Sequence, residues 1–111
     1  MKLPSDSILE IESKKIQNYL LNPDHPDGKS KAGFFLLNGI TVENPSLLEN
    51  LLKAQAMNEE VAKELATPFG KKFIFESAIE FPNRKTHHIR SVWIKNRNEN
   101  VIKFVTAYKI S

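Results

Sequence analysis

Cysteine is absent from this chain of 111 residues, which excludes disulfides, thiolate metal sites and a cysteine nucleophile and agrees with a reducing compartment. Glycine occurs only four times, and no glycines are spaced as a phosphate-binding loop. The chain also lacks a serine-centred nucleophile elbow and the His-rich or Cys-rich spacing of a metal site. Glu76 and Glu80 share one face of an expected strand, but at about 13 Å apart they do not grip a single ion. Neither a metal nor a cofactor is therefore expected. No uninterrupted apolar run approaches the length of a bilayer span, and the segment Met1 to Asp6 lacks the apolar centre of a signal peptide. The expectation is a cytoplasmic protein with no membrane segment.

What is present fits one domain over residues 1–111, long enough at 41% hydrophobic content to bury a single core. The net charge of +3 is modest but unevenly placed, with nine Lys or Arg against three Glu between Gly70 and Ser111. A basic surface of that kind favours a polyanionic partner, and lysines also protect exposed strand edges.

The hydrophobic period divides the chain near Gly70. Before it, Ile16, Tyr19 and Leu20 line one face of a first helix over about Glu12 to Leu21. A second helix begins near Lys29 and stops at Gly39. A third starts at Asn44-Pro45, with Leu48, Leu51, Leu52 and Ala56 as its buried stripe. The run from Asn58 to Ala66 reads as an extension of that helix or a separate turn. After Gly70, β-branched and aromatic residues dominate three runs, Lys72 to Phe81, Thr86 to Lys95 and Val101 to Ile110, with turn-rich segments between them. The expected fold class is α+β: N-terminal helices packed on one face of a C-terminal antiparallel meander, with a strand from Ser7 to Ile11 as a candidate addition. Alternation places Phe73, Phe75, Ile79 and Phe81 on one face of the first strand. It places Ile102, Phe104, Thr106, Tyr108 and Ile110 together on one face of the third.

The densest chemistry lies in His25-Pro26-Asp27-Gly28-Lys29-Ser30-Lys31-Ala32. Two X-Pro steps close the first helix, and the next opens with Lys29 and Lys31 in its first turn, beside free N–H groups where an anion can sit. Elsewhere the polar residues inside apolar strands are His87, His88, Arg90, Ser91, Thr106 and Tyr108. Arg90, between apolar neighbours, needs a partner, either a carboxylate such as Glu76 or a bound phosphate. His88 shares Arg90's face, whereas His87 shares the opposite face with Ser91 and Trp93. Against these readings stand bland ones: His25 as a loop hydrogen-bonder, the paired histidines as strand-end residues, and Tyr108 as a half-buried aromatic.

The string His25-Pro26-Asp27-Gly28-Lys29-Ser30-Lys31-Ala32, followed by Phe35, Gly39 and Ile40-Thr41, resembles the start of a family of small bacterial and phage domains of unknown function. Phe69-Gly70-Lys71-Lys72-Phe73, Ile89-Arg90-Ser91-Val92-Trp93-Ile94 and Val105-Thr106-Ala107-Tyr108 match its later hallmarks, so the resemblance covers nearly the whole chain. The sequence departs from that pattern with Asn83-Arg84-Lys85 where a glycine is usual and Ser91 where threonine is usual. Members occur in polymorphic toxins and as stand-alone toxins beside a small β-rich partner gene, which implies a toxin and antitoxin pair. The order of helices and strands is also similar to the barnase, EndoU, colicin and RelE class of ribonucleases, an analogy of architecture alone.

Together these expectations describe a metal-independent endoribonuclease toxin. His25 serves as base or acid, Lys31 and Arg90 hold the phosphate, Thr106 and Tyr108 position it, and His88 is the second proton-transfer group. The expected partners are RNA and a small acidic, β-rich antitoxin or immunity protein. The rival reading is a non-catalytic module that binds nucleic acid or protein, in which the basic residues only neutralise charge.

Overall fold

The computed structural model describes residues 1–22, 24 and 29–110. The chain runs β1 (Ile8–Glu10), α1 (Ser13–Lys15) continued by a π-helical turn (Ile16–Leu20), α2 (Lys29–Leu37), α3 (Pro45–Asn58), β2 (Lys63–Thr67), β3 (Gly70–Glu80), β4 (Thr86–Asn96) and β5 (Val101–Lys109). All five strands form one sheet in the order β1-β5-β4-β3-β2.

This overturns the expected fold class of N-terminal helices on an antiparallel meander. The sheet is mixed, because β1 pairs in parallel with β5, Ile8 opposite Val101 and Glu10 opposite Lys103. The helices lie in the middle of the chain, between β1 and β2, so the sheet is built from both sides of the helical segment. The two strands at its margins account for the error. β1, three residues long, lies within the candidate strand from Ser7 to Ile11, but it pairs in parallel with a partner some ninety residues away in sequence, which an antiparallel meander does not contain. β2, Lys63-Glu64-Leu65-Ala66-Thr67, has weak strand propensity and is exposed along most of its length. Its pairing with β3, Lys63 opposite Ile74 and Thr67 opposite Gly70, rather than its composition, makes it a strand.

The central strands follow the alternation. Phe73, Phe75 and Ile79 of β3, with Phe81 just beyond it, and Ile89 and Trp93 of β4 face the helices. There they meet Ile16, Leu20, Leu21, Phe35, Leu48, Leu52 and Ala56 in one core. Trp93 stands edge-on to Phe104 with ring centroids 5.3 Å apart. Beneath β4 a polar network is also enclosed: Ser91 Oγ donates to Gln55 Oε1 (2.6 Å), Gln55 Nε2 donates to Ile89 O (2.9 Å) and Ser77 Oγ (3.0 Å), and Trp93 Nε1 donates to Ser91 Oγ (3.0 Å).

The C-terminal end of α2 is set by its sequence. Gly39, at φ 96°, takes the left-handed position past the helix. Its N–H reaches Leu36 O and that of Ile40 reaches Phe35 O, while Ile40 and Phe35 are both fully buried. This is a Schellman stop with its apolar contact. The turn between β3 and β4 has no glycine, and there Arg84 adopts the left-handed conformation at φ 67°, a strained choice for a residue with a Cβ.

β5 departs from simple alternation. Val92 is opposite Thr106 and Trp93 is opposite Phe104, so Val105 is an extra residue on β5. Such a bulge reverses which side the following residues face. Ile102, Phe104 and Ala107 are buried in the core, while Thr106 and Tyr108 join the face that carries Arg90. The expectation that Thr106 and Tyr108 share a face with Ile102 and Phe104 is corrected by that one residue.

Candidate active site

On the face of the sheet turned away from the helices, pairing aligns Glu76, Arg90 and Tyr108 across β3, β4 and β5. Arg90 Nε donates to Glu76 Oε1 at 2.9 Å, and Arg90 Nη1 donates to the Tyr108 hydroxyl at 3.2 Å. The guanidinium carbon also lies 5.6 Å from the centre of the Tyr108 ring. These contacts, with Tyr108 first and Glu76 second, raise the Arg90 pKa above its already high ordinary value, so the group stays cationic at any working pH. Arg90 and Glu76 keep about a third of their side-chain surface exposed (35% and 37%). Among the described residues Arg90 Nη2 makes no hydrogen bond or ion pair.

Lys31 arrives from the other layer. β1 covers only Val101–Lys103 of β5, and α2 packs beside β5. Lys31 and Phe34, one turn apart, fall on the same side of α2. Phe34 stays on the helical face, where the Lys109 ammonium is 5.8 Å from its ring centre. The side chain of Lys31, closer to the start of the helix, brings its ammonium to 5.8 Å from the centre of the Tyr108 ring. Two cations from different layers thus converge on one phenol.

The other expected residues divide. Thr106 pairs with Val92, one step along the same face. His88 is exposed on that face, paired with Ala78 and two residues before Arg90. His87 is held on the helical side: its Nε2 is 3.0 Å from Asn38 Oδ1, which also accepts from Asn83 Nδ2, and its ring is 5.0 Å from that of Phe34. That arrangement is structural. His25 lies outside the described residues. Glu76, weighed from sequence as one of two candidate partners for Arg90, is its anchor. Gln55 was missed from sequence, since a glutamine on an otherwise apolar helical stripe carries no signal of what it will meet.

Among the described residues no group of three or more His, Asp or Glu is arranged to hold a metal ion. A cavity of about 820 Å³ opens at the other end of the sheet beside Lys71, Phe73, Lys95 and Arg97, and Lys31, His88, Arg90, Thr106 and Tyr108 do not line it. Arg90, Glu76 and His88 all reach solvent on this face. No helix of the described residues is long and apolar enough to cross a membrane.

The family model described as "Domain of unknown function (DUF6883)" matches residues 2–111. A chain of the solved "Contact-dependent growth inhibition toxin - immunity protein complex from Klebsiella pneumoniae 342" superposes with a TM-score of 0.72 and 17% sequence identity, covering 90% of this chain and 98% of that chain. At that identity the likeness is one of fold. No protein of curated function matches the sequence.

Proposed function

The chain belongs to the family described as a domain of unknown function (DUF6883), and from that premise and the site's geometry we propose that it is the toxin of a toxin and immunity pair, acting as a metal-independent endoribonuclease. The observation that carries the reading is the meeting of Lys31 and Arg90 on Tyr108 at an open face of the sheet. The fold shared with a chain of a toxin and immunity complex supports the toxin reading.

RNA cleavage of this kind moves the ribose 2′-OH onto the adjacent phosphorus, releasing the 5′ oxygen and leaving a 2′,3′-cyclic phosphate. A base takes the 2′ proton, an acid returns one to the leaving oxygen, and cations stabilise the extra charge on the phosphorane. Lys31 and the free edge of Arg90 supply the cations in this proposal. Glu76 fixes the guanidinium through Nε, and Tyr108 accepts from Nη1, which leaves its own O–H to donate toward a phosphate oxygen. Thr106 lines the same surface. His88, near Arg90 on this face, and His25, six residues before Lys31 in sequence, are assigned the two proton transfers.

Expression in a bacterial host tests the reading. Growth should arrest, with fragments ending in cyclic phosphate accumulating in total RNA, and purified protein should cleave RNA in the presence of a chelator. If expression is harmless and instead protects cells from a co-expressed toxin, the chain is the immunity component and the assignment fails.

The partner assigned here is a small acidic, β-rich immunity protein that covers the basic face. Its association rate should fall steeply as salt is raised from low to physiological ionic strength, because opposed surface charges are screened beyond roughly 8 Å there. Stopped-flow mixing at several salt concentrations measures this, and a flat response excludes charge steering.

A further inference from the structure

We propose that the helix-free face between Arg90 and Lys72 is a track for single-stranded RNA, with Lys72 and Lys63 holding a second phosphate about two nucleotides from the reacting one. This rests on the endoribonuclease reading and adds a substrate subsite to it.

The register lays out the face in rows. Beyond Glu76, Arg90 and Tyr108 comes the row of Ile74, Val92 and Thr106, and beyond that the row of Lys72, Ile94 and Lys103. β2 adds Lys63 beside Ile74 and Leu65 beside Lys72. Two rows correspond to four residues along a strand, about 13 Å, a distance spanned by about two phosphate repeats of an extended strand. Between the cationic ends the floor is apolar: Ile74 and Ile94 are half-buried, and Val92 is only 9% exposed. A floor of that kind accepts the face of a base, while cations at either end accept its flanking phosphates.

The charges also give the track a direction. Past Arg90 on the other side, beyond His88, lies Glu80, whose carboxylate disfavours a polyanion continuing that way. Lys103 is already committed, its ammonium 3.1 Å from Glu99. Lys72 and Lys63 differ: among the described residues neither makes an ion pair or side-chain hydrogen bond. They sit diagonally across β2 and β3 on the same face, about 7 Å apart at the backbone. Two like charges so placed repel one another until an anion lies between them, and a phosphate would relieve that repulsion.

The test compares wild-type protein with a Lys63→Ala, Lys72→Ala double variant on a mixture of all dinucleotides and on randomised single strands of about eight nucleotides. The dinucleotides reach only the Arg90 end, so the variant should cleave them as wild type does. On the longer strands its KM should rise about 10-fold, and the slope of log KM against log salt should become shallower by about 0.7, one phosphate contact. An unchanged KM on the longer strands overturns the track, as does a wild-type protein that cuts total RNA but no single strand. Loss of affinity for the acidic partner with an unchanged RNA KM assigns the face to that protein instead. A wild type that cleaves no RNA of any kind removes the endoribonuclease reading itself, an outcome distinct from failure of the subsite.

Discussion

Arg90→Ala should slow RNA cleavage by roughly 10- to 100-fold, the range for losing a charge-assisted contact to the developing phosphorane. The residue anchors nothing in the core: it stands on the helix-free face, a third exposed, and its partners Glu76 and Tyr108 are themselves on that surface. The melting temperature of the variant should therefore stay close to wild type, which separates a catalytic loss from an unfolded protein. Arg90→Lys should be impaired to a similar degree. An ammonium is a single point of charge and does not reproduce a planar group that binds Glu76 through Nε, Tyr108 through Nη1 and an anion through Nη2. Lys31→Ala should lose activity over the same range. Because Lys31 and Arg90 act on one phosphate, the double variant should fall short of the product of the two single losses. Single-turnover cleavage of total RNA by wild type and the four variants measures all of this. Wild-type cleavage by Arg90→Ala would remove the site assignment.

How much of this was legible in the sequence differs from element to element. The three long strands announced themselves through β-branched and aromatic runs between turn segments, and the alternation in β4 correctly separated His88 and Arg90 from His87, Ser91 and Trp93. The fold class failed at the margins of the sheet. Ile8–Glu10 falls inside the candidate strand from Ser7 to Ile11, but so short a segment carries no sign that it pairs in parallel with β5, and Lys63–Thr67 overlaps a run that reads as a helix extension or a separate turn until Gly70–Glu80 lies beside it. In β5 a single inserted residue, Val105, reversed the facing of everything after it. Nothing in Phe104-Val105-Thr106 marks a bulge, since all three residue types are ordinary in regular strands. Tyr108 therefore met Arg90 for a reason that counting by twos along β5 did not contain. The approach of Lys31 is likewise a property of where β1 ends, which leaves the far half of β5 open to α2.

The facing of Arg90 depends in turn on residues that never touch the open surface. Ile89 and Ser91, its neighbours on either side, are both fully buried, and Gln55 of α3 holds one by its carbonyl and the other by its hydroxyl. No buried side-chain nitrogen or oxygen among the described residues lacks a partner, so the network is satisfied as it stands. Gln55→Leu, close in size, removes an acceptor from Ser91 and a donor from Ile89 O and Ser77 at once. Taking a partner from these three groups, two of which are bonded to Gln55 in the buried interior, should cost about 2 to 4 kcal/mol, which for a domain of this size lowers the melting temperature by roughly 10 to 20 °C. Ser91→Ala in the same background removes one orphaned group and should recover part of the loss, a coupling that a double-mutant cycle resolves. Cleavage should also fall, at temperatures where the variant is still folded, because the segment Ile89-Arg90-Ser91 is no longer pinned from beneath and the guanidinium loses its fixed place between Glu76 and Tyr108. Thermal unfolding of the single and double variants, with cleavage assayed well below the midpoint, gives both readouts. A shift of under 2 °C for Gln55→Leu would mean that the network contributes little and that the pairing of β4 with its neighbour strands alone sets the direction of Arg90.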